Sequence, residues 1–283
     1  MAAALLNALH DPNCSAASAG LHAYPGDAIS HGSLEALRFT GTPIDTRAPY
    51  PNHLSRQISK EDLQNADLVV GITNQHADIL RTHFPQYRDK ITVFPDEIPD
   101  PYGCDLSVYL STLASIRNGV SELYRTVTAR SEGILPLIKN DVASIYHIER
   151  NSFTTPWSEE SFLVSMENPV THGIVKIEKG TLTGYAIFSV LFEEAELYNI
   201  AVDAQNREKG VGSELLQAVI AHCKTYNAQT LRLEVRQSNI AAQKLYEKFG
   251  FEYESKRKNY YQNPVEDALL MYLSLNNTQK ESL

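Results

Sequence analysis

The sequence predicts two successive α/β domains, and three observations carry that reading. The chain has 283 residues, and at roughly 100–200 residues per domain that length suits two cores. The first half alternates short apolar runs with amphipathic stretches, the rhythm of an open α/β sheet. A polar stretch, TARSEG at 128–133, then interrupts the pattern, and strands and helices resume beyond it.

In the first half, residues 2–9 read as a helix and 34–39 as the middle of another. Residues 66–72 (ADLVVGI) form a continuous apolar run of the kind found in buried parallel strands. A helix is expected at 74–83 and a strand at 91–94 (ITVF). A long helix follows at 107–127, with apolar Val108, Leu113, Ile116, Val120 and Leu123. The segment after it is polar and ends in glycine, which marks a linker. The expected division is a first domain at 1–128, a linker at 129–133, a second domain at 134–276 and a polar tail at 277–283.

The second half opens with a strand at 134–138 and a helix at 141–151. Ser158 is placed to cap the next helix, which contains 161–166. Strands are expected at 173–178, 183–192 and 195–202. Residues 211–226 make a helix with Val211, Leu215, Val219 and Cys223 at i+4 steps. A strictly alternating strand at 231–235 and a helix at 239–249 follow. Gly250 stands where a helix ends in the left-handed conformation. Strands near 251–256 and 268–273 close the pattern.

Composition narrows the function classes. The hydrophobic share, 43%, supplies two cores. The net charge of -9 is spread over both halves, so no nucleic-acid footprint is expected. Acidity suits a basic substrate, and it equally suits plain solubility. Cys14, Cys104 and Cys223 form no Cys-x-x-Cys pair, so no zinc or redox motif is read and no metal is expected. Lone cysteines fit a reducing compartment. The first residues lack a basic region before their apolar stretch, which argues against a secretory signal. No apolar stretch approaches the roughly 20 residues of a spanning helix. The expected location is the cytoplasm, with no membrane partner.

Three stretches carry chemistry. The first is Asn199-Ile200-Ala201-Val202-Asp203, followed by Arg207-Glu208-Lys209-Gly210-Val211-Gly212-Ser213 at the head of a helix. Two glycines let a ligand approach the backbone, and free N–H groups at a helix start bind anions such as pyrophosphate. A plain helix-capping loop reads the same way. The second is Leu231-Arg232-Leu233-Glu234-Val235-Arg236, where alternation turns Glu234 away from the apolar face. A solvated strand face is the alternative. The third is the helix 239–249, with Ala242, Leu245 and Phe249 as its expected buried stripe. Tyr246 lies beside that stripe, where its hydroxyl could reach a cleft or serve structure alone.

Together these stretches resemble the GNAT superfamily. Arg207-x-x-Gly210-x-Gly212 and Asn239…Leu245-Tyr246…Gly250-Phe251 stand in the family's order and spacing. The resemblance is closer to the RimI-type ribosomal-protein-alanine N-acetyltransferases. Four stretches carry it: 145–149 leading to Pro156-Trp157-Ser158; 199–203; Leu233-Glu234-Val235-Arg236 with Ser238-Asn239; and Asn259-Tyr260-Tyr261 with Glu266-Asp267-Ala268. It implies a mixed, mostly antiparallel sheet with helices, and acetyl-CoA as co-substrate. It implies transfer of an acetyl group to a protein N-terminal α-amine, that of the N-terminal alanine of a small-subunit ribosomal protein. By the same resemblance Glu234 is the general base and Tyr246 the general acid. Ile200, Ala201 and Val202 hold the pantetheine and the thioester carbonyl. Arg207, Glu208, Lys209, Gly210, Val211, Gly212 and Ser213 form the pyrophosphate loop, and Asn239 touches CoA. Trp157 and a loop of Asn259, Tyr260 and Tyr261 border the peptide groove. The chemistry agrees: a peptide α-amine, with a pKa of about 8, is far closer to neutral at pH 7 than a lysine at about 10.4.

The first half resembles the low-molecular-weight protein-tyrosine or protein-arginine phosphatases. Residues 1–6, Ser18-Ala19-Gly20, 66–70 and Asp100-Pro101-Tyr102-Gly103 carry the likeness. In that family the Asp of the Asp-Pro pair, here Asp100, is the general acid. The nucleophile is a Cys in a Cys-x5-Arg loop before the first helix. Six residues beyond Cys14, Cys104 and Cys223 stand Gly20, Leu110 and Gln229, so that loop is not in this sequence. The reading is a truncated open parallel sheet without phosphatase activity. Either the recorded start is internal to a longer chain, or the half has become a binding or regulatory module. Two other functions stay open at this stage: an acetyltransferase for a lysine or small amine, and a phosphatase-derived module whose second domain binds CoA.

Overall fold

The structure, a computed structural model, describes residues 1–46 and 48–276. The tail expected at 277–283 lies outside the described residues. Two compact units emerge, Met1–Ala129 and Arg130 onward.

The first unit holds α1 (Ala2–Asn7), α2 (His31–Phe39), α3 (Lys60–Asn65), β1 (Val69–Gly71), α4 (Asn74–His83), β2 (Ile91–Val93) and α5 (Leu106–Thr128). Polar side chains start four of the helices. Ser30, Ser59, Thr73 and Asp105 accept the N–H groups that open α2 to α5, satisfying donors that have no partner inside a helix. β1 and β2 pair in parallel, Val69 with Ile91 and Gly71 with Val93. The apolar spacing of α5 buries Leu113, Ile116 and Val120 against Leu37 and Phe94.

The run at 66–72 yields a strand of only three residues. Ser59 and Asp62 form a reciprocal capping box that nucleates α3, a helix absent from the reading. Ala66 is the C-cap of α3, and its carbonyl accepts from Lys90 Nζ at 2.8 Å. Apolar content alone does not show that the run starts at the cap of a helix, with two irregular residues before the strand.

The second unit contains β3 (Gly133–Pro136), α6 (Val142–Ser152), α7 (Glu159–Glu167), β4 (Thr171–Glu178), β5 (Thr181–Leu191), β6 (Glu194–Val202), α8 (Val211–Thr225), β7 (Thr230–Arg236), α9 (Ile240–Lys248), β8 (Glu252–Gln262) and β9 (Val265–Ser274). The seven strands form one sheet in the order β3-β4-β5-β6-β7-β9-β8. All neighbours are antiparallel except β6 and β7, the mixed sheet expected of the GNAT fold. β3 begins at Gly133 and α5 ends at Thr128, so the expected linker shares its last residue with a strand.

Alternation along the strands feeds two cores. Ala186, Phe188, Leu231, Leu233 and Val235 turn to one face and pack with Leu215, Leu216 and Val219 of α8. Val175, Tyr185, Ile187 and Ala201 turn to the other and pack with Ile145 of α6 and Phe162 of α7. All four residues of the i+4 stripe in α8 are buried. α9 departs from expectation: Tyr246 is its buried residue, while Ala242, Leu245 and Phe249 are only partly buried.

Candidate active site

The sheet opens at one place. β6 pairs with β5 along its length, but with β7 only from Glu194↔Thr230 to Leu197↔Leu233. β7 stays paired with β9 as far as Arg236↔Ala268, so the two parallel strands part after Leu197 and Leu233. The register of β6 on β5 shifts at the same point, where Tyr198 is the extra residue between Leu197 and Asn199. A bulge of this kind bends a strand and sharpens its twist. Ile200, Ala201 and Val202 therefore lie on a β6 edge that faces no strand among the described residues. Ala201 is buried in one core, and Ile200 and Val202 lean on the other.

The start of α8 adjoins that edge. Its N-cap is Gly210, with φ 93° and no side-chain cap. An L side chain is disfavoured at that φ. Gly212 is different. A Cβ there would sit 3.5 Å from Leu245 and 3.7 Å from Val202, ordinary contacts, so internal packing does not demand glycine. Arg207, Glu208 and Lys209 are exposed, and Glu208 takes φ 63°. The Arg207 side chain donates to Val202 O at 3.2 Å and to Ser152 Oγ at 3.0 Å, which fixes the loop against α6. Val211 is buried and Ser213 half-buried. Asn239 caps α9, accepting the Ala242 N–H at 3.1 Å.

Glu234 is the first residue of β7 beyond the last β6–β7 pair. Its side chain is 20% exposed and ion-paired with Arg257 of β8. The Tyr260 hydroxyl donates to it, and this bond is the main reason that the Tyr260 pKa is raised. Glu196 of β6 lies near enough to feel the charge of Glu234. Burial first, and that charge second, raise its pKa. Tyr261 is pushed up to about 12 by burial, then by Glu234, and Arg236 opposes the rise. Tyr246 is buried at 5% exposure, with its ring 5.6 Å from Phe251. Burial raises its pKa strongly and nearby Tyr261 adds to the rise. Glu234, Tyr260, Tyr261 and Tyr246 thus form one electrostatic neighbourhood.

Asn259, Tyr260 and Tyr261 do not form a loop, as the sequence reading had it. They belong to β8, where the register on β9 shifts between Arg257 and Tyr261. Asn259 takes φ 53° and its N–H bonds Asp267 Oδ1 at 2.9 Å. Asparagine tolerates this conformation better than most residues, so the strand absorbs the irregularity without ending. A sequence window sees Asn-Tyr-Tyr and has no sign of the partner strand.

One residue at the site had no role in the sequence reading. Glu149 of α6 is 1% exposed. It accepts from Trp157 N at 2.8 Å, from Asn199 Nδ2 at 3.0 Å and from the Tyr185 hydroxyl. Trp157 packs on Phe162, ring centroids 5.3 Å apart. The signal was present: Val142, Ile145 and Glu149 follow the 3–4 spacing of a buried helix face, and a carboxylate on such a face needs internal partners.

No group of three or more His, Cys, Asp or Glu side chains is arranged to hold a metal among the described residues. No helix among them is long and apolar enough to cross a membrane.

Two family descriptions match this sequence. Residues 142–251 match the acetyltransferase (GNAT) family. Residues 1–132 match the low molecular weight phosphotyrosine protein phosphatases. A relative from Bacillus subtilis (strain 168) is 40% identical over 137 residues, which cover 48% of this chain and 91% of the relative. The [ribosomal protein bS18]-alanine N-acetyltransferase of Escherichia coli (strain K12) is 38% identical over 144 residues, covering 50% of this chain and 97% of that protein. Among solved structures, the ribosomal-protein-S18-alanine N-acetyltransferase from Escherichia coli aligns with a TM-score of 0.49 and 34% identity. The alignment covers 54% of this chain and 99% of that one.

Proposed function

This chain belongs, through its second half, to the acetyltransferase (GNAT) family, and we propose that it moves an acetyl group from acetyl-CoA to the α-amine of a protein N-terminus. In this reading the acceptor is the N-terminal alanine of a small-subunit ribosomal protein. The name of the Escherichia coli relative, matched over 97% of its length, supports that choice.

The observation that carries the reading is the parting of β6 and β7. It leaves a strand edge at Ile200, Ala201 and Val202, and Glu234 is the first β7 residue past the last pair. The surroundings fit acetyl-CoA. The uncapped start of α8 offers N–H groups and the positive end of the helix dipole to a pyrophosphate. Gly212 has room beside it that internal packing leaves unused. An open β edge carries N–H and C=O groups that need partners, and the amides of a pantetheine arm match them.

Acetyl-CoA, when bound, supplies an activated thioester. Glu234 takes the proton of the incoming amine, held in place by Arg257 and Tyr260. The Tyr246 phenol, which burial keeps protonated but also makes a weaker acid, gives its proton to the sulfur as the C–S bond breaks, and the tyrosinate regains a proton from solvent before the next turnover. A backbone N–H of the open β6 edge donates to the thioester carbonyl, where charge develops. Tyr260, Tyr261 and Trp157 border the acceptor.

The test uses acetyl-CoA and three peptides: one with a free N-terminal alanine, one with that amine blocked, and one blocked with an internal lysine. Mass spectrometry should find acetylation of the free α-amine alone. Glu234→Gln and Tyr246→Phe should each lower turnover by about 10²–10⁴. The Glu234→Gln defect should shrink at high pH, where the amine loses its proton unaided. Modification of the lysine peptide alone would move the acceptor to another class.

A further inference from the structure

Arg236, the last residue of β7, reaches two segments far apart in sequence. Its Nη2 donates to Thr154 Oγ1 at 3.0 Å and to Asn263 O at 3.1 Å. Its Nη1 donates to Pro264 O and to Glu266 Oε2, both at 3.3 Å. The guanidinium lies over the Tyr261 ring, 4.0 Å from its centroid. Thr154 stands in the α6–α7 connection, three residues before Trp157, and its own hydroxyl donates to Asn263 O. Asn263 and Pro264 form the turn between β8 and β9. The Arg236 side chain is 18% exposed.

We propose that Arg236 is a positioning residue that staples the α6–α7 connection to the β8–β9 hairpin and so sets the width of the acceptor groove between them. The inference rests on the reading above, in which Trp157 and Tyr261 border the acceptor. The chemistry needs arginine. A guanidinium is a planar fork of five donors that can serve several acceptors at once and stack on a ring. A lysine ammonium offers three donors from a point charge and no planar face. A single exposed ion pair contributes little. Here the acceptors belong to both walls, so loss of the fork loosens one wall from the other and leaves the Thr154–Asn263 hydrogen bond to join them. Arg236 does not hold Glu234, whose ion pair is with Arg257.

The experiment uses the full chain and the variants Arg236→Lys, Arg236→Ala and Thr154→Val. Trp157 is the only tryptophan in the sequence, so its fluorescence quenching by acrylamide reports the α6–α7 wall directly. All three variants should show stronger quenching than the parent. With an alanine-initiated peptide, both Arg236 variants should raise the peptide KM about tenfold or more, with the acetyl-CoA KM unchanged and kcat within about threefold. Thr154→Val, which removes both the Arg236–Thr154 and the Thr154–Asn263 hydrogen bonds, should show a shift of the same kind and at least as large. Unchanged quenching in folded Arg236→Lys and Thr154→Val overturns the proposal. So does a kcat loss at unchanged peptide KM. If the parent acetylates no peptide, the acceptor reading fails, and the quenching arm still decides whether Arg236 ties the two segments.

Discussion

Asn199 donates its side-chain amide to Glu149 Oε1 at 3.0 Å, and the Trp157 N–H donates to the same oxygen at 2.8 Å. One buried atom thus ties β6, just before its open edge, to the segment that carries Trp157. The other oxygen of Glu149 takes the Tyr185 hydroxyl of β5. A buried carboxylate is costly unless its lone pairs are satisfied. With all three donors in place, it fixes the geometry of three elements at once.

Glu149→Ala should therefore destabilise the second unit by on the order of 3 kcal/mol, because three buried donors lose their acceptor together. Glu149→Gln keeps one acceptor oxygen and turns an NH₂ toward a donor, so its loss should be smaller, about 1–3 kcal/mol. Denaturant melts that follow the single Trp157 measure both. An Ala variant as stable as the parent would mean that water replaces the carboxylate.

Gly210 and Gly212 should separate stability from binding. Gly210→Ala forces a side chain into φ 93° and should cost about 1 kcal/mol or more. Gly212→Ala meets only ordinary contacts. Ala is the better helix former by about 0.8–1.0 kcal/mol, so the fold should hold or gain. Acetyl-CoA affinity should nevertheless fall, because the methyl group occupies space assigned to the ligand. Calorimetry with acetyl-CoA and a thermal melt, run on the same samples, test this. A Gly212→Ala variant that binds acetyl-CoA as tightly as the parent would remove Gly212 from the ligand surface.

Much of the second unit was legible because its signals are local. The i+4 stripe of α8 at Val211, Leu215, Val219 and Cys223 and the alternation of β7 each fit within one element. The Gly210–Gly212 pair also announces itself in a short window. What stayed hidden depends on partners distant in sequence. The irregularity at Tyr198 exists only against β5, and the place of Tyr260 in a strand exists only against β9. Arg257 and Arg236 look like ordinary surface charges until the fold brings Glu234 and Tyr261 beneath them. Tyr246 was set beside the buried stripe of its helix, and the sheet makes it the buried residue. In the first unit, the capping box at Ser59 and Asp62 was legible in principle, but the apolar run that follows drew the strand too long.

Alkaline stability follows from two buried groups of the second unit. Burial raises the Tyr185 pKa, with Glu149 adding to the rise, and it pushes the Cys223 thiol up to about 12. The unfolded chain releases these protons near the ordinary values, about 8.5 for Cys and 10 for Tyr. The native state then holds protons that the unfolded state has lost. Their contribution to stability is full below those values and falls as pH rises through the folded ones. Denaturant midpoints should be level to about pH 8 and decline beyond it. Cys223→Ala should decline less steeply between about pH 8.5 and 12. The same slope in parent and variant would show that the thiol ionises freely in the native state.

The last expectation concerns the first unit. β1 has three residues and pairs with β2 alone among the described residues. β7 has seven residues, with β9 along its whole length and β6 on its other side for four pairs. Unpaired strand edges leave N–H and C=O groups to water and open readily. Amide exchange is slow where opening requires the loss of a large cooperative sheet, and fast where a small unit opens alone. Val69, Val70 and Gly71 should therefore exchange faster than Leu231, Leu233 and Val235 under native conditions. The difference should persist in Glu149→Ala, whose lost contacts all lie in the second unit. Equal protection of β1 and β7 in the parent would mean that something covers the second edge of β1, and that the two-stranded sheet is not the weak element that its pairing implies.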